Sequence, residues 1–121
     1  LAMPDNWDGG TVTVRFHWYA NVADATKDVR WGIQGRSFGD AETFDQAWGT
    51  GQEVTDAATA TANQHLLSAA TPAVTLAGTP AGGEFVAFRV YRNPAHVDDD
   101  LAADARLVAV IIEYTTNAYS D

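Results

Sequence analysis

From Thr11 to Tyr19 the chain alternates without a break: Val12, Val14, Phe16 and Trp18 form one face, and Thr11, Thr13, Arg15, His17 and Tyr19 form the other. Successive side chains of an extended backbone point to opposite sides, so this period of two predicts a strand with one buried face. The cluster PDNWDGG before it, rich in Pro, Asp and Gly, predicts a turn. After the polar link NVADATKD a second run sets Val29, Trp31 and Ile33 against Arg30, Gly32, Gln34 and Arg36. The two runs read as strands able to pair as a hairpin across a loop of moderate length.

The segment GDAETFDQAWG (39–49) breaks this period. Asp40 fits an N-cap, Glu42 the first turn, Phe44 and Trp48 stand four apart, and Gly49 can close the end, which together predict one short helix over an open end of the sheets. Further on, Glu53 to Thr61 is a weak strand candidate, and His65 to Ala70 and Ala73 to Ala77 are better ones, parted by Thr71 and Pro72. LAGTPAGGE (76–84) must turn, and Phe85 to Arg92 alternates again, with Val86, Phe88 and Val90 opposite Ala87, Arg89 and Tyr91.

In the final run, Arg106 to Tyr114, alternation fails: Leu107, Ala109 and Ile111 are as apolar as Val108, Val110 and Ile112. A strand apolar on both faces is covered on both. Two covers are open at this point, a second chain or domain against the outer face, or a central position beneath the chain's own loops. Val108, Val110 and Ile112 are the interface candidates under the first.

About seven short strands, Gly-rich turns and no helix of core-forming length predict an all-β fold, an antiparallel two-sheet β-sandwich of jelly-roll type with one short helix. At 121 residues the chain suits one domain, 1–121, able to bury roughly two-thirds of the surface its unfolded form exposes. It begins at Leu1 without a signal-peptide pattern and is expected to be the ordered part of a longer or processed polypeptide. No apolar run approaches the ~20 residues that span a bilayer, so no membrane insertion is expected. A net charge of −9 opposes nucleic acid, whose phosphates call for clustered Lys and Arg. With no Cys, disulfides and thiolate metal sites are excluded.

The phrases MPDNWDGGTVTVRFHWYA, VRWGIQGRSFGD, FDQAWGTGQEVTD, SAATPAVTLAGTPAGGEFVAFRVYRN and DDDLAADARLVAVIIEYTT, in that order, cover nearly the whole chain. Together they resemble a domain that recurs in structural proteins of tailed bacteriophages and related gene-transfer particles, in fibres, spikes and appendages. The resemblance implies a jelly-roll-like module at the virion surface, often a homotrimer, in contact with other virion proteins and contributing to host attachment. It implies a further strand upstream of Met3, and it carries no catalytic residues.

Candidate chemistry is sparse. Indole and phenol faces can stack on sugar rings, and of the aromatics Trp7, Trp48, Tyr19 and Tyr91 are the ligand-contact candidates, since Trp18 and Trp31 fall on apolar faces. A glycan-binding module is therefore the alternative reading. Asp98, Asp99, Asp100 and Asp104 offer the hard oxygens Ca²⁺ takes, but the loop lacks the Gly and terminal Glu of an EF-hand and reads equally as a solvated turn, so no metal is assigned. His17, His65 and His96 stand apart in sequence, and no cofactor is implied. Arg89 and Arg92 beside Tyr91 could bridge to the DDD segment of another chain or pair with carboxylates at the surface. Nucleophile-elbow, phosphate-loop and dinucleotide motifs are absent, and no enzyme is expected.

Overall fold

A computed structural model describes residues 1–117 and contains six strands: β1 (Trp7–Ala20), β2 (Asp28–Phe38), β3 (Gln52–Ala57), β4 (Leu66–Leu67), β5 (Phe85–Arg92) and β6 (Ala105–Thr116). They form two three-stranded antiparallel sheets, ordered β4-β1-β6 and β3-β2-β5. The sheets face each other as a β-sandwich across one core.

The alternation read in β1 holds: Val12, Val14, Phe16, Trp18 and Ala20 are buried, and Thr13, Arg15, His17 and Tyr19 lie half-buried on the outer face. In β2, Val29, Trp31 and Ile33 are buried and face β1. The predicted β1–β2 hairpin does not form, because the two strands lie in opposite sheets. The physical reason is visible in their rings: Phe16 stacks on Trp31 with centroids 6.0 Å apart, and Trp18 meets Trp31 edge-on at 6.1 Å. Burying these apolar faces against each other requires facing strands, whereas a hairpin would set them side by side.

Strap-like cross-links replace the predicted strand at Ala73 to Ala77. Val74 bridges to Val12 in one sheet and Ala77 to Arg36 in the other, so this short segment crosses between the layers.

The predicted helix over 39–49 is also absent, and no helix occurs among the described residues. Ala41 takes a left-handed φ of 66°, which turns the chain out of a helical path directly after the predicted N-cap Asp40. Glu42 accepts a hydrogen bond from Gly39 N at 2.6 Å, closing a turn there. Too short to be stable as a helix on its own, the segment instead lies over the outer face of the β3-β2-β5 sheet, held by Gly49 N donating to Gly35 O at 3.2 Å.

Among the described residues β6 sits at the free edge of its sheet, with β1 on one side only. The alternative of a central strand under its own loops is thereby corrected. Leu107, Val108, Ile111 and Tyr114 are exposed, and Val110 and Ile112 pack half-buried on the core. The register passes from His17 opposite Ala109 to Trp18 opposite Leu107, which makes Val108 the extra residue of a β-bulge.

Candidate functional site

Two surface features stand out, a groove of aromatic rings on the outer face of one sheet and an open apolar margin between the edges of the two sheets.

The groove arises because even-numbered positions of β2 point outward. Phe38 ends that row, Phe85 lies opposite it in β5, and the 39–51 loop brings Phe44 across both. Ring centroids are 4.9 Å apart for Phe38 and Phe44, 6.0 Å for Phe38 and Phe85, and 6.1 Å for Phe44 and Phe85. Trp48, 40% exposed, and Gln46 complete one side, and Arg36 lies over the Phe38 ring at 5.8 Å. The cavity holds about 300 Å³ and runs through the same three Phe rings into a shallower depression of about 680 Å³ that carries Asp40, Glu42 and Glu84. Phe44 is 74% exposed although its ring meets both Phe38 and Phe85, which leaves a broad apolar face open to solvent. The arrangement offers flat apolar faces edged by one guanidinium, one amide and three carboxylates, chemistry suited to a polyhydroxylated ligand.

The second feature lies where the free edges of β5 and β6 approach. Leu1, Phe88, Val90, Val110 and Ile112 line an open apolar channel of about 540 Å³. Leu1 reaches it because Ala2 bridges to Phe85, while the Leu1 amine donates to Val86 O at 2.9 Å and Val86 N donates to Leu1 O at 2.8 Å.

The residues singled out from sequence do not converge. Trp7 is 1% exposed and belongs to the core, which removes it as a ligand contact. Only Trp48 lines the groove. Tyr19 lies on the outer face of β1 under the Arg106 guanidinium, 5.7 Å from the ring centre. Tyr91 lies across Gly32, where a Cβ would collide with its ring; burial and the neighbouring Glu53 carboxylate push its hydroxyl up to about 12. That ring is committed to the sheet's own packing. Val110 and Ile112 line the open channel, Val108 protrudes at the bulge, and Arg89 is exposed on β5.

Arg92 does pair with a carboxylate, but within its own chain and in a buried setting rather than at the surface. Its fork closes within the chain, Nε to Asp99 Oδ2 at 3.0 Å and a terminal nitrogen to Asp99 Oδ1 at 2.8 Å, with further bonds to the carbonyls of Leu101 and Ala103. The Asp99 side chain is 1% exposed and also accepts Arg30 N at 3.0 Å. Burial pushes its carboxyl up, but the Arg92 fork and the Arg30 amide outweigh that and hold it below the usual range. Two other carboxylates of the acidic loop are also engaged: Asp98 pairs with Arg30, and Asp100 pairs with Lys27 and accepts Asp28 N. Among the described residues no three or more His, Asp or Glu side chains gather as a metal would need.

Two features had little sequence signal. His17 Nδ1 and His65 Nε2 lie 2.7 Å apart with stacked rings, although 48 residues separate them, because β4 pairs with β1. The aromatic groove draws on three separate elements; its only advance sign was the outward phase of Phe38 and Phe85 relative to their buried neighbours Ser37 and Val86. Comparison with known protein families, with curated proteins and with solved structures gives no match in any of the three.

Proposed function

We propose that this chain is a non-catalytic structural module of a fibre, spike or other surface appendage of a bacteriophage-type particle, outside the cell, and that it assembles with copies of itself and with other particle proteins. The observation that carries the assembly half is β6, a twelve-residue strand at a free edge with exposed Leu107, Val108 and Ile111, whose guards are limited to Arg106, Glu113 and the bulge at Val108. Soluble proteins usually guard such an edge with charge, Pro or cover, since its unpaired amides and carbonyls template further strands. The particle half, the jelly-roll form of the sandwich and the trimer implied with it rest on the sequence resemblance.

Two measurements test the reading. Immunogold labelling of particles purified from the source culture should decorate a surface appendage, and unlabelled particles would remove the virion assignment. Light scattering on the purified chain should give a mass above the monomer's 12.9 kDa.

A second reading, glycan recognition by the same module, is favoured by the groove of Trp48, Phe44 and Phe85. Binding to a host-surface polysaccharide on a glycan array should vanish in Trp48→Ala, whose circular dichroism should match the native chain. Binding that survives the substitution counts against the groove.

A further inference from the structure

We propose that β6 pairs antiparallel with β6 of a second copy about a two-fold axis at Val110, joining two β4-β1-β6 sheets into one six-stranded sheet. The inference rests on the self-assembly reading above and gives it a two-fold geometry in place of the trimer that the sequence resemblance implies.

The first support is the direction of the backbone groups. Val12, Val14 and Phe16 spend their amides and carbonyls away from β6: Val12 exchanges bonds with Val74, Val14 with Thr71, and Phe16 with Ser68, while Ala20 O accepts Asn63 N. Their partners across β1·β6 are therefore in non-hydrogen-bonded positions, and those include Val110 opposite Phe16, Ile112 opposite Val14 and Ala105 opposite Ala20. The N–H and C=O of these β6 residues point to the free edge, ready to pair.

The second support is that the edge is complementary to itself in one register. Placing Val110 on the axis sets Ala109 against Ile111 of the second copy and leaves Val108 out as the bulge residue in both strands. Leu107 then meets Ile112, and Arg106 meets Glu113, each contact occurring twice. Opposed residues of an antiparallel pair share a face, and this register obeys that rule on both sides of the bulge. Val110, Leu107 and Ile112 are opposite the inward Phe16, Trp18 and Val14; Ala109, Ile111, Arg106 and Glu113 are opposite the outward His17, Arg15, Tyr19 and Thr13.

Moving the axis by two residues in either direction parts Arg106 from Glu113 and breaks the match of the bulges. A bulge is a common guard of an edge; here it falls where the symmetric register accommodates it. The arrangement is isologous, as a two-fold contact must be, and it brings the apolar channels beside Val110 and Ile112 of the two copies toward each other.

Charge reversal and cross-linking test the register. Sedimentation velocity over a concentration series should show a dimer. Arg106→Glu or Glu113→Arg alone should weaken it roughly ten- to thirty-fold, from two attractions turned repulsive, and the double reversal should restore it to within about three-fold. In the cysteine-free chain, Ala109→Cys with Ile111→Cys should oxidise to a covalent dimer, because these residues form the closer, non-hydrogen-bonded pair across the axis. A dimer indifferent to both reversals and not cross-linked overturns the register. A trimer overturns the two-fold axis while leaving self-assembly standing. A monomer at every concentration overturns both.

Discussion

Asp99→Ala should be among the most damaging single substitutions in this chain, although Asp99 belongs to a loop. The carboxylate accepts three bonds, two from the Arg92 fork and one from Arg30 N, and its side chain is almost wholly shielded. Removing one partner of a shielded ion pair costs ~3–5 kcal/mol, because the remaining charge stays desolvated. Arg92 keeps the carbonyls of Leu101 and Ala103 and retains some contact with solvent, which places the loss at the lower end, about 3 kcal/mol. For a domain of this size that corresponds to a drop in Tm of about 10–15 °C. Urea denaturation of Asp99→Ala, Arg92→Met and the double variant forms a closed cycle. The two single losses should exceed the double loss by at least ~1.5 kcal/mol. The pair also sets an acid limit. Since the folded carboxyl titrates below its ordinary value, its contribution is complete above about pH 4 and is lost as pH falls through the lower folded value. Asp99→Ala should flatten that part of the native profile. A loss under about 1 kcal/mol, or strict additivity in the cycle, would refute the reasoning.

Other expectations are smaller or more local. Gly49→Ala should unseat the aromatic loop, since a Cβ there would lie 2.6 Å from Thr75 O, 2.9 Å from Gly35 O and 3.0 Å from Ala77 N, all of them backbone. Limited proteolysis should then cut within 39–51 faster than in the native chain, and an unchanged cutting rate would contradict the contact. Asp56→Asn should stabilise the chain at neutral pH by up to about 1 kcal/mol. Burial raises the Asp56 carboxyl despite the Trp18 indole donating to it at 2.8 Å, so the native chain loses stability as pH rises through that raised value, and an amide oxygen can accept the same bond uncharged. Denaturation at pH 4 and pH 7 reads the difference, and a variant weaker than native at pH 7 would sink the assignment.

Strand identity was legible wherever one face was apolar. β1, β2 and β5 follow from Val12 to Trp18, Val29 to Ile33 and Val86 to Val90, because a period of two survives any tertiary context that buries one side. Sheet membership was not legible, since alternation says which face is buried and not what buries it; Phe16 and Trp31 could have been neighbours in one layer or opposed across two. The double-sided apolarity of β6 announced an unusual strand, and the structure resolves it as an exposed edge. At 39–49 the spacing of Phe44 and Trp48 imitated a helix because both rings do share one apolar surface, but the surface is the outside of a sheet and the path to it is irregular, turning at Asp40 and Ala41 and bending at Phe44. Arg92 and the acidic loop could be paired from sequence, but across chains or at the surface; that the pair closes within one chain and is buried was hidden, because the loop folds back across only seven residues in a form no periodic pattern encodes.

The carbonyl of Gly35 receives two amides, Gly49 N at 3.2 Å and Ala77 N at 3.1 Å. One oxygen thus moors both the loop bearing Trp48 and the crossing segment that ties the layers together. Displacing that loop therefore bears directly on one of the bonds that fix the cross-tie, while Ser37 N on Ala77 O and the paired Val12 and Val74 still hold it between the layers.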